Sequence, residues 1–202
     1  PSPPYSEKST GSRSSSMRVY RRCGGATGTG TSSVATTGDI NTTGCNLLVV
    51  VATNTDRVNN VVITDNKSNS WNALTFYPAD VGTQRSVQIH YSVPASVGGG
   101  HSFTGTRTST FPGISVLCFS GAHATPNDSN QSGFYQAGSA TTIQPGSVTP
   151  SQNNCLLVAG ASLNTYAGAA PTINGSFTVG PYLPFTSGQS LGTVGSYLIQ
   201  TT

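Results

Sequence analysis

From Ala26 onward, apolar runs of four to eight residues alternate with clusters rich in Gly, Asn, Asp, Ser and Pro. The runs favour Val, Ile, Thr, Phe and Tyr, whose branched or flat side chains suit a pleated surface, so each reads as a strand bounded by turns. The pattern predicts strands over 31–36, 46–53, 60–64, 72–77, 86–92, 101–106, 114–120, 141–144, 155–162, 172–179 and 191–200. Ser86-Val87-Gln88-Ile89-His90-Tyr91 and Ile114-Ser115-Val116 alternate with period two, as half-buried strands do. Residues 47–52 and 156–159 are apolar without interruption, as in central core strands. Asp65-Asn66-Lys67-Ser68-Asn69 is hairpin chemistry, because Asx residues tolerate positive φ. No ten-residue segment carries a helical apolar stripe. About eleven short strands predict an all-β chain, a jelly-roll-like two-sheet β-sandwich. One internal echo appears: in both 44–52 and 154–161 a cysteine, Cys45 or Cys155, sits at the mouth of an apolar strand after a polar turn.

Composition sharpens the picture by exclusion. Charged residues make up 7 % of the chain. Six acids and nine bases cannot solvate several helices, so a mainly helical fold is ruled out. The longest apolar run falls far short of the roughly 18 residues of a membrane span. Five of the nine bases lie in the first 22 residues, so the basic charge belongs to one end. Residues 1–16 are rich in Ser and Pro and contain no aliphatic side chain. The chain thus divides into a flexible, basic N-terminal arm over 1–25 and a sandwich over 26–202. Gly24-Gly25-Ala26-Thr27-Gly28-Thr29-Gly30 lacks the Lys and following helix of a phosphate loop and reads as a flexible link. A basic arm can meet nucleic acid, an acidic surface or a neighbouring subunit. Five bases are few for packaging, so nucleic acid is not an expected partner. No charged-then-apolar leader is visible, and any signal peptide is expected to have been removed.

Searches for chemistry return little. The four cysteines, Cys23, Cys45, Cys118 and Cys155, allow three full pairings; no zinc spacing occurs, and no metal or other cofactor is expected. Because Cys45 and Cys155 open comparable strands, they are the first candidates for a disulfide. Sequons stand at Asn41, Asn66, Asn127, Asn130 and Asn174 and matter in a glycosylating compartment. No nucleophile elbow is present, His90 and His101 read as sheet-surface residues, and each Asp of the body lies near a turn. The chain is expected not to be an enzyme. Flat aromatics that could stack a sugar occur at Trp71, Tyr77, Tyr91, Tyr135, Tyr166 and Tyr182, with the first three as the expected platform. Trp71 follows a hairpin turn, where plugging the end of a sandwich is the competing reading.

Several stretches carry a likeness. They are Asn46-Leu47-Leu48-Val49-Val50-Val51, Asp65-Asn66-Lys67-Ser68-Asn69-Ser70-Trp71-Asn72-Ala73-Leu74, Val87-Gln88-Ile89-His90-Tyr91, Gly100-His101-Ser102-Phe103, Phe119-Ser120-Gly121-Ala122, Gln144-Pro145-Gly146-Ser147-Val148-Thr149-Pro150-Ser151 and Tyr197-Leu198-Ile199-Gln200-Thr201-Thr202. In these the chain resembles a widespread group of bacterial and phage-associated extracellular jelly-roll domains of unassigned activity. The resemblance covers approximately residues 26–202 and implies a fold and a surface-exposed life, with no catalytic residues. Members of that group continue through one more apolar strand, so the sandwich here is expected to lack a final strand and to leave an edge for another segment to fill. The candidate is the alternating stretch Met17, Arg18, Val19, Tyr20, Arg21 and Arg22, supplied by the chain itself or by a neighbour through strand addition; the competing explanation is that the sequence is a fragment. The expectation is a non-catalytic structural protein of an extracellular, cell-surface or virion-surface assembly, with copies of itself as partners. The alternative is a secreted carbohydrate-binding or adhesive module whose partners are glycans.

Overall fold

Among the described residues, eleven strands follow one another: β1 (Arg21–Gly30), β2 (Val34–Thr37), β3 (Leu47–Asn54), β4 (Val62–Asp65), β5 (Asn72–Pro78), β6 (Ser86–Ser92), β7 (Phe103–Thr106), β8 (Gly113–Ser120), β9 (Leu156–Leu163), β10 (Thr178–Leu183) and β11 (Gly192–Ile199). The structure, a computed structural model, describes residues 21–78, 85–126, 147–150, 153–163, 170–184 and 191–200. Among the described residues there is no helix, and so none long and apolar enough to cross a membrane. The strand pairings among the described residues are all antiparallel: an eight-stranded sheet runs β4-β7-β2-β1-β8-β3-β6-β5, and a three-stranded sheet runs β10-β11-β9.

The large sheet curls on itself. Ala35 of β2, Ile63 of β4 and Phe103 of β7 pack in one core with Leu48, Val50 and Ala52 of β3 and Ile114, Val116 and Cys118 of β8. Two glycines let the curl close on Ile114. A Cβ at Gly28 would lie 2.7 Å from its Cγ1, and one at Gly105 would lie 2.8 Å from its Cγ2. The small sheet covers the opposite face, where Leu47, Val49, Leu117 and Phe119 meet Leu156, Val158 and Tyr197. Strand β3 therefore has cores on both sides, and all eight of its residues are buried. That is why its sequence is apolar without alternation. Ser115 pins the sheets together, donating to Pro181 O at 2.6 Å and accepting from Gly195 N–H at 3.2 Å. The structure is thus the all-β, two-sheet sandwich that the pattern predicts.

Several boundaries differ from expectation. The glycine-rich stretch read as a flexible link is part of β1, between β2 and β8; Gly28 there serves close packing against Ile114, and β1 begins at Arg21, inside the expected arm. Strand β10 starts at Thr178, where 172–179 was expected, and its register shifts between Val179 and Tyr182, around Gly180 and Pro181. Its edge position tolerates a proline that cannot donate to a ladder. Strand β9 is an edge strand of the small sheet and only partly buried, not a central one. The stretch 141–144 lies outside the described residues.

Candidate functional site

The assembly surface expected from the sequence begins at β1. Along one side, residues 21–28 pair with β8, starting from Arg21 opposite Ser120 and Arg22 opposite Phe119. On the other side β2 reaches only Gly28, Thr29 and Gly30. The outer edge of residues 21–27 has no strand partner among the described residues. A strand leaves every second backbone N–H and C=O pointing to such an edge, a template for another strand. Of the expected arm, Arg21 and Arg22 lie in β1, whereas Met17, Arg18, Val19 and Tyr20 lie outside the described residues.

The expected sugar platform is not gathered on one surface. Trp71 packs against the core inside the curl, edge-on to Phe103 at a centroid distance of 6.0 Å, and its indole N–H donates to Asp65 Oδ2 at 2.8 Å. It occupies the plug position. Tyr91 packs on the opposite face, with Val49 and Leu117. Tyr77 pairs with Val87 and so shares Tyr91's face, four residues along β6 or about 13 Å away. Tyr182 lies in β10, while Tyr135 and Tyr166 lie outside the described residues.

The Cys45–Cys155 bridge is not formed: Cys45, Cys118 and Cys155 carry thiols. The reason is positional. Cys45 belongs to the core inside the curl, whereas Cys155 lies just before β9 of the small sheet, where its carbonyl accepts from Gln200 N–H. The shared feature of the two cysteines is the turn before each, with Gly44 at φ 78° and Asn154 at φ 59°. Of the sequons, Asn41 and Asn174 are exposed. Asn66 is exposed too, but its carboxamide is engaged, donating to Gly100 O at 2.7 Å and accepting from Ser102 N–H at 3.1 Å. Asn127 and Asn130 lie outside the described residues.

Two histidines expected on the sheet surface are buried. His101 is fully enclosed and stacks on Phe103 at 4.3 Å. Its Nδ1 meets the Thr42 hydroxyl at 2.8 Å, and its Nε2 lies 3.4 Å from Asp65 Oδ1, a contact that falls short of hydrogen-bond geometry. Hydroxyl, imidazole and carboxylate stand in the order of a nucleophilic triad. Yet Thr42 and the side chains of His101 and Asp65 have no exposed surface, and the Thr42 oxygen already accepts from Gly98 N–H at 3.0 Å. A substrate cannot reach it. Burial pushes the proton affinity of His101 below that of a free imidazole, against the attraction of Asp65 and with the repulsion of Lys67. A neutral ring is best served with its proton on Nε2 and with Thr42 donating to Nδ1. Asp65 also accepts from Lys67 N–H at 2.8 Å, so it joins the β4–β5 turn, Trp71 and the segment before β7 in one clamp.

Sequence reasoning missed the inner face of β6. Ser86, Gln88, His90 and Ser92 are all buried, while Val87, Ile89 and Tyr91 are only partly so. Cross-strand register puts the polar set on the curl side, with Ser92 opposite Leu48 and His90 opposite Val50. Gln88 Oε1, His90 Nε2 and Ser92 Oγ have no hydrogen-bond partner among the described residues, and burial pushes the pKa of His90 down to about 4. Apolar alternation alone misled, because the other face of the strand is also covered by the small sheet.

At the other end of β4, Asp56 organises a tight loop. It accepts from Val58 N–H at 2.8 Å, from the Asn59 side chain at 3.0 Å and from Arg107 at 3.2 Å. Its pKa is held below the usual carboxylate value first by the Val58 N–H, with burial opposing and Asn59 and Arg107 assisting. Ser109 and Phe111 nearby hold left-handed backbone, at φ 56° and 49°. Thr55, Asp56, Arg57, Val58, Ser109 and Thr110 line a shallow surface depression there. Set against family models, curated proteins and solved structures, the chain matches none of them.

Proposed function

We propose that the protein is a non-catalytic structural β-sandwich that assembles with copies of itself by strand addition, its N-terminal arm pairing with a neighbour's sheet. The observation that supports this reading is the outer edge of β1. On the edge away from β8, residues 21–27 have no strand neighbour among the described residues, and the expected arm precedes this strand directly in sequence. Main-chain pairing would supply the affinity, which suits a chain with only 7 % charged residues. A head-to-tail exchange of arms gives a filament or a ring according to whether the rotation closes. The sparse charge and the abundance of Ser, Thr, Asn and Gly fit an extracellular, cell-surface or virion-surface setting.

Amide hydrogen exchange tests the pairing. The full chain is compared with one that starts at Arg21, which leaves β1 intact. In the shortened chain every second amide of residues 21–27 should exchange quickly, and in the full chain the same amides should be protected. Equal exchange in both chains would refute pairing at this edge.

A further inference from the structure

We propose that Asn174 and Gly175 form a self-modifying site: the backbone nitrogen of Gly175 attacks the Asn174 carboxamide, ammonia leaves, and the turn before β10 passes from asparagine to aspartate and isoaspartate. Asparagine is one of the chemically labile side chains, and its loss of ammonia requires the next backbone nitrogen to reach its Cγ. A Cβ on the following residue obstructs that approach and restricts the backbone, whereas glycine does neither. Asn174 is the one asparagine in the chain that glycine follows.

The fold leaves this pair open. Asn174, Gly175 and Ser176 are all exposed. Gly175 and Ser176 hold left-handed backbone, at φ 73° and 63°, so the chain turns sharply just after the asparagine. Outside the adjoining residues, a Cβ built on Gly175 would meet nothing closer than Phe177 Cδ2 at 3.9 Å, so no neighbour crowds the forming ring. Neither the Asn174 carboxamide nor the Gly175 N–H takes part in a hydrogen bond among the described residues.

Other asparagines are held. Asn46 donates to Ala122 O at 2.8 Å and accepts from Ala122 N–H at 3.0 Å. Asn69 grips Ser96 in the same two-handed way, with both bonds at 2.9 Å. Asn41 is exposed like Asn174, yet it accepts from Thr43 N–H at 2.9 Å, and the residue after it is the buried, β-branched Thr42.

The step balances without an oxidant or reductant. A base takes the Gly175 amide proton, the N–Cγ bond forms, and the Cγ–Nδ2 bond breaks as Nδ2 leaves with a proton from water as ammonia. Water then opens the five-membered imide. Breaking the new N–Cγ bond gives aspartate; breaking the bond from nitrogen to the Asn174 main-chain carbonyl carbon gives isoaspartate, whose main chain runs through Cβ and Cγ. Either product adds one negative charge to a chain of formal net charge +3 and erases the sequon Asn174-Gly175-Ser176, so a glycan and this reaction compete for one nitrogen. The inference does not rest on the assembly reading.

The test ages the full, unglycosylated chain at mildly alkaline pH and maps it at intervals with chymotrypsin. Cleavage after Tyr166 and Phe177 isolates residues 167–177, in which Asn174 is the one asparagine. The expected result is loss of the original 167–177 peptide ahead of every other asparagine peptide, with aspartyl and isoaspartyl forms in its place and a more acidic form of the intact chain on cation exchange. The Asn174→Gln chain should keep its 167–177 peptide unchanged. Persistence of the original peptide in the folded chain while free 167–177 peptide converts would overturn the inference, because the fold would then shield the pair. Earlier loss at another asparagine would overturn it too.

Discussion

His90 should make the fold acid-labile in a defined window. The residue is 3 % exposed, lies on the inner face of β6 and leaves Nε2 without a partner among the described residues. Burial brings its pKa down to about 4, against 6.5 for a free imidazole. The unfolded chain therefore takes up a proton near pH 6.5 that the folded chain refuses until about pH 4. The sign follows directly: above pH 6.5 this group adds no pH dependence, and below it stability falls as pH falls. The loss totals about 3 kcal/mol by pH 4 and then levels off, each tenfold of proton affinity being worth about 1.4 kcal/mol. Urea unfolding at pH 7.5, 6.5, 5.5 and 4.5 measures it, with His90→Leu as the comparison. The substitution removes both the titration and the orphaned nitrogen, whose burial costs about 1–3 kcal/mol, so the variant should be no less stable at pH 7.5 and should lose less towards pH 4.5. His101, also lowered by burial, supplies the slope that remains in the variant. A wild-type stability that is flat from pH 6.5 to 4.5, or an identical slope in the variant, would refute the reasoning.

Two further outcomes follow from the packing. Gly28→Val forces a side chain into Ile114, whose Cγ1 lies 2.7 Å from where the Cβ would be, and should cost about 1–3 kcal/mol or more in urea unfolding. A neutral result would mean that β1 does not close against β8 as described. Trp71→Phe keeps the ring packed beside Phe103 but removes the 2.8 Å bond to Asp65, so it should destabilise by about 1.5–3 kcal/mol, the range for a hydrogen bond to a charged group. Trp71 is the single tryptophan, and its fluorescence should respond to Asp65→Asn in an otherwise folded chain. An unchanged spectrum would contradict the indole–carboxylate contact.

The strand pattern carried the all-β class and most strand positions, because apolar runs bounded by Asx and Gly turns leave few other folds. The uninterrupted run in β3 was legible as a central core strand for the same reason. Three features were not. Gly28 of β1 looks like flexibility in sequence, and only its neighbour Ile114 reveals that it is there for close approach. In β6 both faces are covered, so alternation named the faces without saying which one was enclosed. The clamp of Thr42, Asp65, Trp71 and His101 unites residues spread over 60 positions and carries no local motif. A conspicuous sequence feature, the cysteine echo, reports a shared turn at Gly44 and Asn154 and not a bridge.

The most direct test of assembly through the arm is the native mass of the full chain beside that of the chain starting at Arg21, by light scattering with negative-stain imaging. The account predicts that the full chain forms rings, shells or filaments of many copies, while the shortened chain, with β1 complete, remains a folded monomer. Equal monomer masses for the two would contradict it.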